Sequence, residues 1–382
     1  LDREIPPSNY EGFTNAKQED DNHRLFLNYT HLKSNSKWSF KTAYYNEENN
    51  YIDSVRSIYG YNPATSIINQ LDFKTLLKSN HNITVNLTNS NSFSNGKNFN
   101  STIELNRTAL TGSYIYKKKT WQQLINFRIL LNEGEITPLT YSYALNKTFD
   151  NTSIFLNFGK VYRLPSINDL FWNPGGNDNL SPEQGYSSDI GFKWKTKLNN
   201  TSLSFSSSIY TRSIEDWIQW YPSGGYWSAM NIKKVWSRGI ETSSSVNSQI
   251  RAMDFKLDFK TSYNLSTNIE IFNGDESTIN KQLIYSPFYK VIINASVSFK
   301  NLNLSYLHNY TGYRFTTSDN ESYLPSFHIG KIYVSSDILI KNQFVKIFYK
   351  IHNIYNVDYQ LIINRPMPLI NHEIGINIKI KK

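Results

Sequence analysis

Few residue types in this chain could break bonds. Cysteine is absent, which removes thiolate nucleophiles, thiolate metal sites and disulfides together. The histidines, His23, His31, His81, His308, His328, His352 and His372, show no pair at metal-ligand spacing and read as isolated residues. Hard oxygen ligands gather at Gly176-Asn177-Asp178-Asn179, but no glutamate follows at the spacing of an EF-hand loop, so no metal is assigned. No glycine-rich phosphate loop follows a strand and opens a helix. Aromatic surface is what the chain does offer. Trp217, Trp220, Tyr221, Tyr226 and Trp227 crowd around Ser223-Gly224-Gly225, Trp172 precedes Asn177 and Asp178, and Tyr310 and Tyr313 stand beside Arg314. Such faces stack on flat ligands. No catalytic residue and no cofactor is expected.

The bulk numbers narrow the class. The chain has 382 residues, 39% of them hydrophobic and 15% aromatic, with a net charge of +9. Lysine and arginine are scattered rather than clustered, and Lys117-Lys118-Lys119 reads as a solvated turn, so nucleic acid is not a partner. Mean hydropathy is −0.50, and no apolar run approaches the length of a membrane-spanning helix. That excludes a helical membrane protein but not a β-barrel, whose apolar signal sits in every second residue. Sequons such as those at Asn82, Asn86, Asn146 and Asn303 are expected by chance in so asparagine-rich a chain and are not read as glycosylated. The chain opens at Leu1 without Met or an apolar leader and reads as part of a longer protein.

Period-two alternation positions everything else. Leu203, Phe205 and Ile209 share one face against Ser202, Ser204, Ser206 and Ser208. Val291, Ile293, Ala295, Val297 and Phe299 oppose Asn294, Ser296 and Ser298, and Met253, Phe255, Leu257 and Phe259 oppose Asp254, Lys256 and Asp258. Isoleucines at 374, 376, 378 and 380 alternate with Gly375, Asn377 and Lys379. These are strands with one apolar and one polar face, and no helical stretch competes. Tight polar turns are expected near Lys33–Lys37, Lys78–Asn82, Lys117–Lys119, Thr148–Thr152, Lys197–Thr201, Asn247–Arg251, Lys300–Asn301 and Lys341–Asn342. Longer connections fall between them, at Asn46–Asn62, Ser94–Asn98, Asn132–Glu135, Tyr162–Pro182, Ser213–Lys233, Thr267–Tyr285, Asn309–Tyr323 and Asn353–Ile370. Strict alternation of short and long fits a hairpin meander through a membrane and not a soluble sandwich. The expected fold is all-β, an antiparallel transmembrane β-barrel of about 17 strands of 10 to 15 residues. First and last strands then run the same way. An odd number of strands must precede them, and five more would give the 22 of plugged outer-membrane transporters. Residues 1–382 are thus expected to be the C-terminal part of a larger barrel.

Four stretches resemble, in order, the TonB-dependent outer-membrane receptors. Arg163, Pro165, Ser166, Asp169 and Leu170, then Gly176, Asn177, Leu180, Pro182 and Glu183, match one family pattern. Tyr210–Ile218, Asn231–Glu241, and Asn353–Tyr359 with Pro366–Ile376 match three others. The ending departs from the pattern, with Asn371 where the family places arginine and Lys382 where it places an aromatic residue. The wording around Trp172 leans toward Bacteroidetes-type receptors, cobalamin-receptor-like members among them.

The resemblance implies a transporter without catalysis in the outer membrane of a Gram-negative bacterium. It would import a scarce large nutrient, a ferric siderophore or a cobalamin, by energised movement of the missing plug. Implied partners are the TonB complex, the small nutrient, outer-membrane lipid or lipopolysaccharide, and a surface lipoprotein. Candidate ligand contacts are Trp172, Asn177, Asp178, Trp220, Tyr221, Tyr226, Trp227, Tyr310, Tyr313 and Arg314. Membership of an interfacial aromatic girdle is the preferred reading for Trp217 and an open one for Tyr226 and Trp227, which fall beyond the expected strand. Arg163, Pro165, Asp169, Pro182 and Glu183 read as the frame of their loop, with Arg163 expected to pair with Asp169 or Glu183. The alternatives are a passive diffusion porin or a surface-exposed β-rich binding protein.

Overall fold

The computed structural model describes residues 2–4, 15–55, 57–99, 101–223, 226–270, 275–340 and 343–379. Among these, one sheet gathers nineteen strands. All but the short Asp2–Glu4 and Glu135–Ile136 have nine residues or more, which leaves the expected seventeen.

By contacts the chain divides into two units. The first holds Leu1–Lys147, Phe155–Ser188 and Arg212–Val235. Here Lys17–Lys33, Ser36–Asp53, Ile58–Lys78, His81–Ser94, Ile103–Lys118 and Trp121–Asn132 pair in sequence, each antiparallel to the next. The second holds Thr148–Ile154, Asp189–Thr211 and Trp236–Lys382. Here Met253–Asn268, Tyr289–Phe299, Leu302–Thr311, Phe327–Ile340, Gln343–His352 and Asn371–Lys379 do the same.

Register shows why the alternation works. Phe255 faces Val297, Leu257 faces Ala295 and Phe259 faces Ile293 on one side. On the other, Asp258 accepts from Asn294 at 3.4 Å and pairs with Lys256 at 3.1 Å. The apolar row is the exposed one: Leu257 is 45% and Ile374 77% exposed, as a face turned to lipid requires. Two-residue turns join many strands, and Lys119, Asp150, Asn199, Arg251 and Lys300 open theirs with positive φ. That conformation suits the right-handed twist of the flanking strands.

Four expectations need correction. The long connection at Asn46–Asn62 is instead largely paired strand, with Asn49 opposite Asn62 and Asp53 opposite Ile58. Ser213–Lys233 is likewise mostly strand, within Thr201–Ser223 and Tyr226–Ile250, so Tyr226 and Trp227 open a strand rather than lie beyond one. The first is a mostly polar hairpin end that stays hydrogen-bonded, whereas the second keeps apolar residues that are buried, Ile214, Ile218, Ala229 and Ile232 among them. Strands accordingly reach 25 residues, beyond the expected length. Finally, Ile167–Phe171 is a short α-helix, because Ser166 caps it. Gly224, Gly225, Lys341, Asn342 and Ile380 lie outside the described residues.

Candidate functional site

The site grows from the end of the strand Thr152–Arg163. Pro165 has no N–H to continue a ladder. The chain turns at Ser166, whose side chain accepts from the Asp169 amide at 3.1 Å, while Asp169 accepts from the Ser166 amide at 2.9 Å. This reciprocal capping box fixes the helix start and aims both carboxylate oxygens of Asp169. Its Oδ1 accepts from the Trp220 indole at 2.9 Å, and its Oδ2 lies 3.5 Å from Arg163 Nη1. Burial pushes the Asp169 carboxyl upward, but the Ser166 amide, the Trp220 indole and the Arg163 charge outweigh it and hold it below the usual carboxylate range.

Arg163 also grips Glu183, with Nε 2.7 Å from Oε2 and Nη2 2.6 Å from Oε1. Oε1 of Glu183 accepts in addition from the Ile218 amide at 2.8 Å. Asn231 closes the frame. Its Oδ1 accepts from the Ser181 amide at 2.9 Å, and its Nδ2 donates to Ser181 O at 3.1 Å and to Asp216 O at 2.7 Å. Three of the sequence stretches that match the family pattern therefore meet here, each supplying a strut. Beneath them Leu180, Ile218 and Ala229 form a buried cluster with Leu170 and Trp220 against it. Gly175 passes so near the next strand that a Cβ would fall 1.8 Å from Trp227 O, and its own carbonyl accepts from the Ala229 amide at 2.7 Å.

The frame holds a lid over a cavity. Trp172 ends the helix and meets Phe99 edge-on, with ring centroids 5.9 Å apart. Asn173 donates through its amide to Asn98 O at 2.7 Å. Under this pair lies a cavity of about 460 Å³, floored by Asp20, Glu47, Asn49, Asn62, Ser66 and Ser92 on one face of four neighbouring strands. Ile167, Asn168 and Trp172 cover it. Asp20 accepts from Asn49 at 2.6 Å, and Glu47 accepts from Arg24 at 2.7 Å. No lysine or arginine is part of the described lining.

The candidate residues separate on this geometry. Trp172 is on the cavity. Asn177 donates to Ala229 O at 3.4 Å and receives the Asn179 amide at 3.0 Å, and Asp178 accepts from Asn179 at 2.9 Å. Trp220 is held by Asp169, and Tyr221 is buried in its strand. Tyr310, Tyr313 and Arg314 belong to the second unit and do not line the cavity. There Tyr313 packs against Phe288, Phe315 and Tyr323. Arg314 is buried over the Phe327 ring and donates to Pro325 O at 2.9 Å; burial lowers its affinity for the proton. The histidines are not all isolated: His308 and His328 stack with centroids 6.0 Å apart, and Tyr355 accompanies them. Sequence reasoning missed Asp20, Glu47, Asn49, Asn62 and Phe99. Little signal was available: the run from Asn46 to Asn50 holds only Asn and Glu, with no apolar residue to mark a face.

Long antiparallel strands, one face apolar and exposed, the other polar and bonded, define an outer-membrane β-barrel protein. Residues 2–344 match the family described as TonB dependent receptor-like, beta-barrel, and the chain belongs to that family. It is a family of transporters and receptors, placed in the outer membrane of Gram-negative bacteria. The chain is 34% identical over 94 residues to the vitamin B12 transporter BtuB of Vibrio vulnificus, covering 24% of this chain and 15% of that protein. It is 23% identical over 269 residues to BtuB of Photobacterium profundum, covering 66% of this chain and 41% of that one. The siderophore receptor PiuA of Acinetobacter baumannii superposes with a TM-score of 0.72 at 12% identity, over 98% of this chain and 66% of that one. That likeness shows the fold alone. The chain spans less than half the length of the curated relatives it matches.

Proposed function

We propose that this chain is the barrel portion of a TonB-coupled receptor that imports a scarce, large nutrient, a cobalamin-type corrinoid in preference to a ferric siderophore. Residues 1–382 would form part of a larger barrel, since seventeen consecutive long strands leave the first and last running the same way. Uptake would be driven by TonB acting on a plug domain. The chain would bind and release its cargo unchanged, with no enzymatic step.

The observation that carries this reading is the cavity beneath Trp172. Its floor offers amides and carboxylates, and Arg24 already answers Glu47. A ferric catecholate carries several negative charges and would be repelled by the carboxylate of Asp20. A corrinoid rimmed with amide groups would find donors and acceptors at Asn22, Asn49 and Asn62, and an aromatic cover in Trp172. The vitamin B12 transporters among the relatives point the same way. In the proposal Trp172 is the ligand contact, and Asn177, Asp178, Trp220, Tyr221, Tyr226 and Trp227 act in or beside the loop that carries it.

The test is binding of radiolabelled cyanocobalamin and of a ferric catecholate to the intact receptor in outer-membrane vesicles. Saturable cobalamin binding, weakened about tenfold or more by Trp172→Ala, is expected, since a well-placed aromatic contact is worth more than about 1 kcal/mol. Saturable binding of the ferric catecholate alone overturns the ligand assignment.

A further inference from the structure

The polar face of the second unit holds two lysines that no carboxylate of the described chain answers. In the register of Met253–Asn268 against Tyr289–Phe299, Lys260 lies opposite Ile292 and Lys290 opposite Ser262, so the two stand diagonally on neighbouring strands. Residues so placed are about 7 Å apart, within reach of long side chains, and like charges at that range repel. Other lysines of this face are paired: Lys256 with Asp258 at 3.1 Å, Lys346 with Asp337 at 3.4 Å and Lys350 with Glu373 at 2.8 Å. Among the described residues the ammonium groups of Lys260 and Lys290 have no hydrogen-bond or ion-pair partner.

Both lysines line a cavity of about 370 Å³, together with Ser206, Ser243, Ser262 and Glu241. The Ser206 and Ser243 hydroxyls bond each other at 2.8 Å. The next residues along this face, Tyr210 and Asn264, are locked in place. Asn264 accepts from the Tyr210 hydroxyl at 2.8 Å and donates to Ser286 Oγ at 3.0 Å. Buried Gln282 backs them, donating to Ser286 O at 3.1 Å and accepting from the Ser266 amide at 2.8 Å. A satisfied network of this kind holds its shape without a ligand.

Charge and size define what fits. Two ammonium groups against the single carboxylate of Glu241 leave one positive charge, which suits a monoanion. Lysine takes phosphate as a point charge, and the hydroxyls of Ser243 and Ser262 supply further donors. Glu241 adds an acceptor for a hydroxyl or amide beside the anion. The volume is at the small end for ligand sites, enough for a phosphate and the groups next to it.

We propose that Lys260 and Lys290, with Ser243 and Ser262, bind a phosphate-type monoanion. Two sources supply that chemistry, free phosphate and a phosphodiester carried by the cargo. The second rests on the corrinoid reading above; the site itself does not.

The experiment records phosphorus NMR line broadening of dimethyl phosphate by the intact receptor in a phosphate-free detergent. Broadening is expected with the wild type and should fall to the protein-free width in the Lys260→Gln/Lys290→Gln double variant. Lys346→Gln, on a lysine already paired with Asp337, should keep it. A matched titration compares cyanocobalamin, which carries a phosphodiester, with cobinamide, which lacks it. About tenfold tighter binding of cyanocobalamin, the worth of a charge-assisted contact, that vanishes in the double variant assigns the anion to the cargo. Equal affinity in the wild type, with the broadening present, supports the site and assigns it to free phosphate. Failure of both corrinoids to bind removes the cargo reading, and the broadening then decides the site alone. If the double variant fails to assemble, as seen by loss of heat-modifiable migration on gels, the two single variants take its place, each expected to narrow the line. No broadening in the wild type, or undiminished broadening in the folded lysine variants, overturns the proposal.

Discussion

Arg163 and Glu183 stand twenty positions apart and meet through two parallel hydrogen bonds of 2.7 and 2.6 Å, closing the loop between them like a clasp. The carboxylate side is buried, at 8% exposure, and the guanidinium is 45% exposed. Glu183 has a second duty, because the Ile218 amide depends on it. Glu183→Gln would leave Arg163 only Asp169, at 3.5 Å, as a charged partner and should destabilise the loop by about 2 kcal/mol. The check is the rate of limited proteolysis within 164–182, expected to rise more than about tenfold. Glu373→Gln breaks an exposed pair with Lys350 and should leave that proteolysis unchanged. Equal protease resistance in wild type and Glu183→Gln would mean that the clasp does not hold the loop.

Gly175 and Gly134 give a matched comparison. Both have positive φ, +111° and +87°. A Cβ at Gly134 meets nothing within 4 Å, whereas at Gly175 it would fall 1.8 Å from Trp227 O. Gly134→Ala should therefore show backbone strain alone, about 1 kcal/mol. Gly175→Ala should add a clash that backbone must move to relieve, and so detach the loop from the strand Tyr226–Ile250. Amide exchange at Ala229, whose N–H is held by Gly175 O, reads this directly. Rapid exchange is expected in Gly175→Ala and not in Gly134→Ala.

The same contrast explains what could be read in advance. Strands such as Met253–Asn268 were legible because Phe255, Leu257 and Phe259 mark every second position, and the tight turns because polar pairs interrupt the pattern. The clasp was legible because a Pro, an Arg and two carboxylates stand at spacings that suit a closed loop. The strand ends around Asn46 and Asn62 were not. There the ladder is held by backbone pairing and by contacts such as Thr65 to Asn46 at 3.0 Å, and residues such as Tyr51, Ile52, Tyr59 and Tyr61 do not mark every second position. The cavity floor was hidden for a further reason. Its residues come from four strands, and no short window of sequence contains more than a few of them.

Asp169 makes the loop acid-sensitive in a defined direction. Its folded carboxyl is held below the ordinary range, so its ionised form stabilises the loop at neutral pH. That contribution is fully present above the unfolded value of about 3.9 and is lost as pH falls through the lower folded value. Protease resistance of 164–182 should hold from about pH 7 down to about 4 and decline below it. Asp169→Asn keeps the shape but removes the charge, so its resistance should be lower at neutral pH and flat across the acid range. A wild-type profile as flat as that of Asp169→Asn would show that the carboxylate contributes nothing.

The face assignment is tested at the last strand. Ile376 lies opposite Ile347 and is 62% exposed, while its neighbour Asn377 lies opposite Lys346, which reaches Asp337 at 3.4 Å. One residue thus separates the lipid side from the polar side. Ile376→Arg puts a guanidinium against acyl chains and should cost about 2–4 kcal/mol near the bilayer midplane. Asn377→Arg adds a charge to a row that already contains Lys346 and Asp337, and should cost well under about 1 kcal/mol. Reversible denaturant unfolding in lipid vesicles measures both. A two-residue shift in register would leave this contrast intact, but a one-residue slip would exchange the two values. Equal costs at 376 and 377 would remove the distinction between the faces.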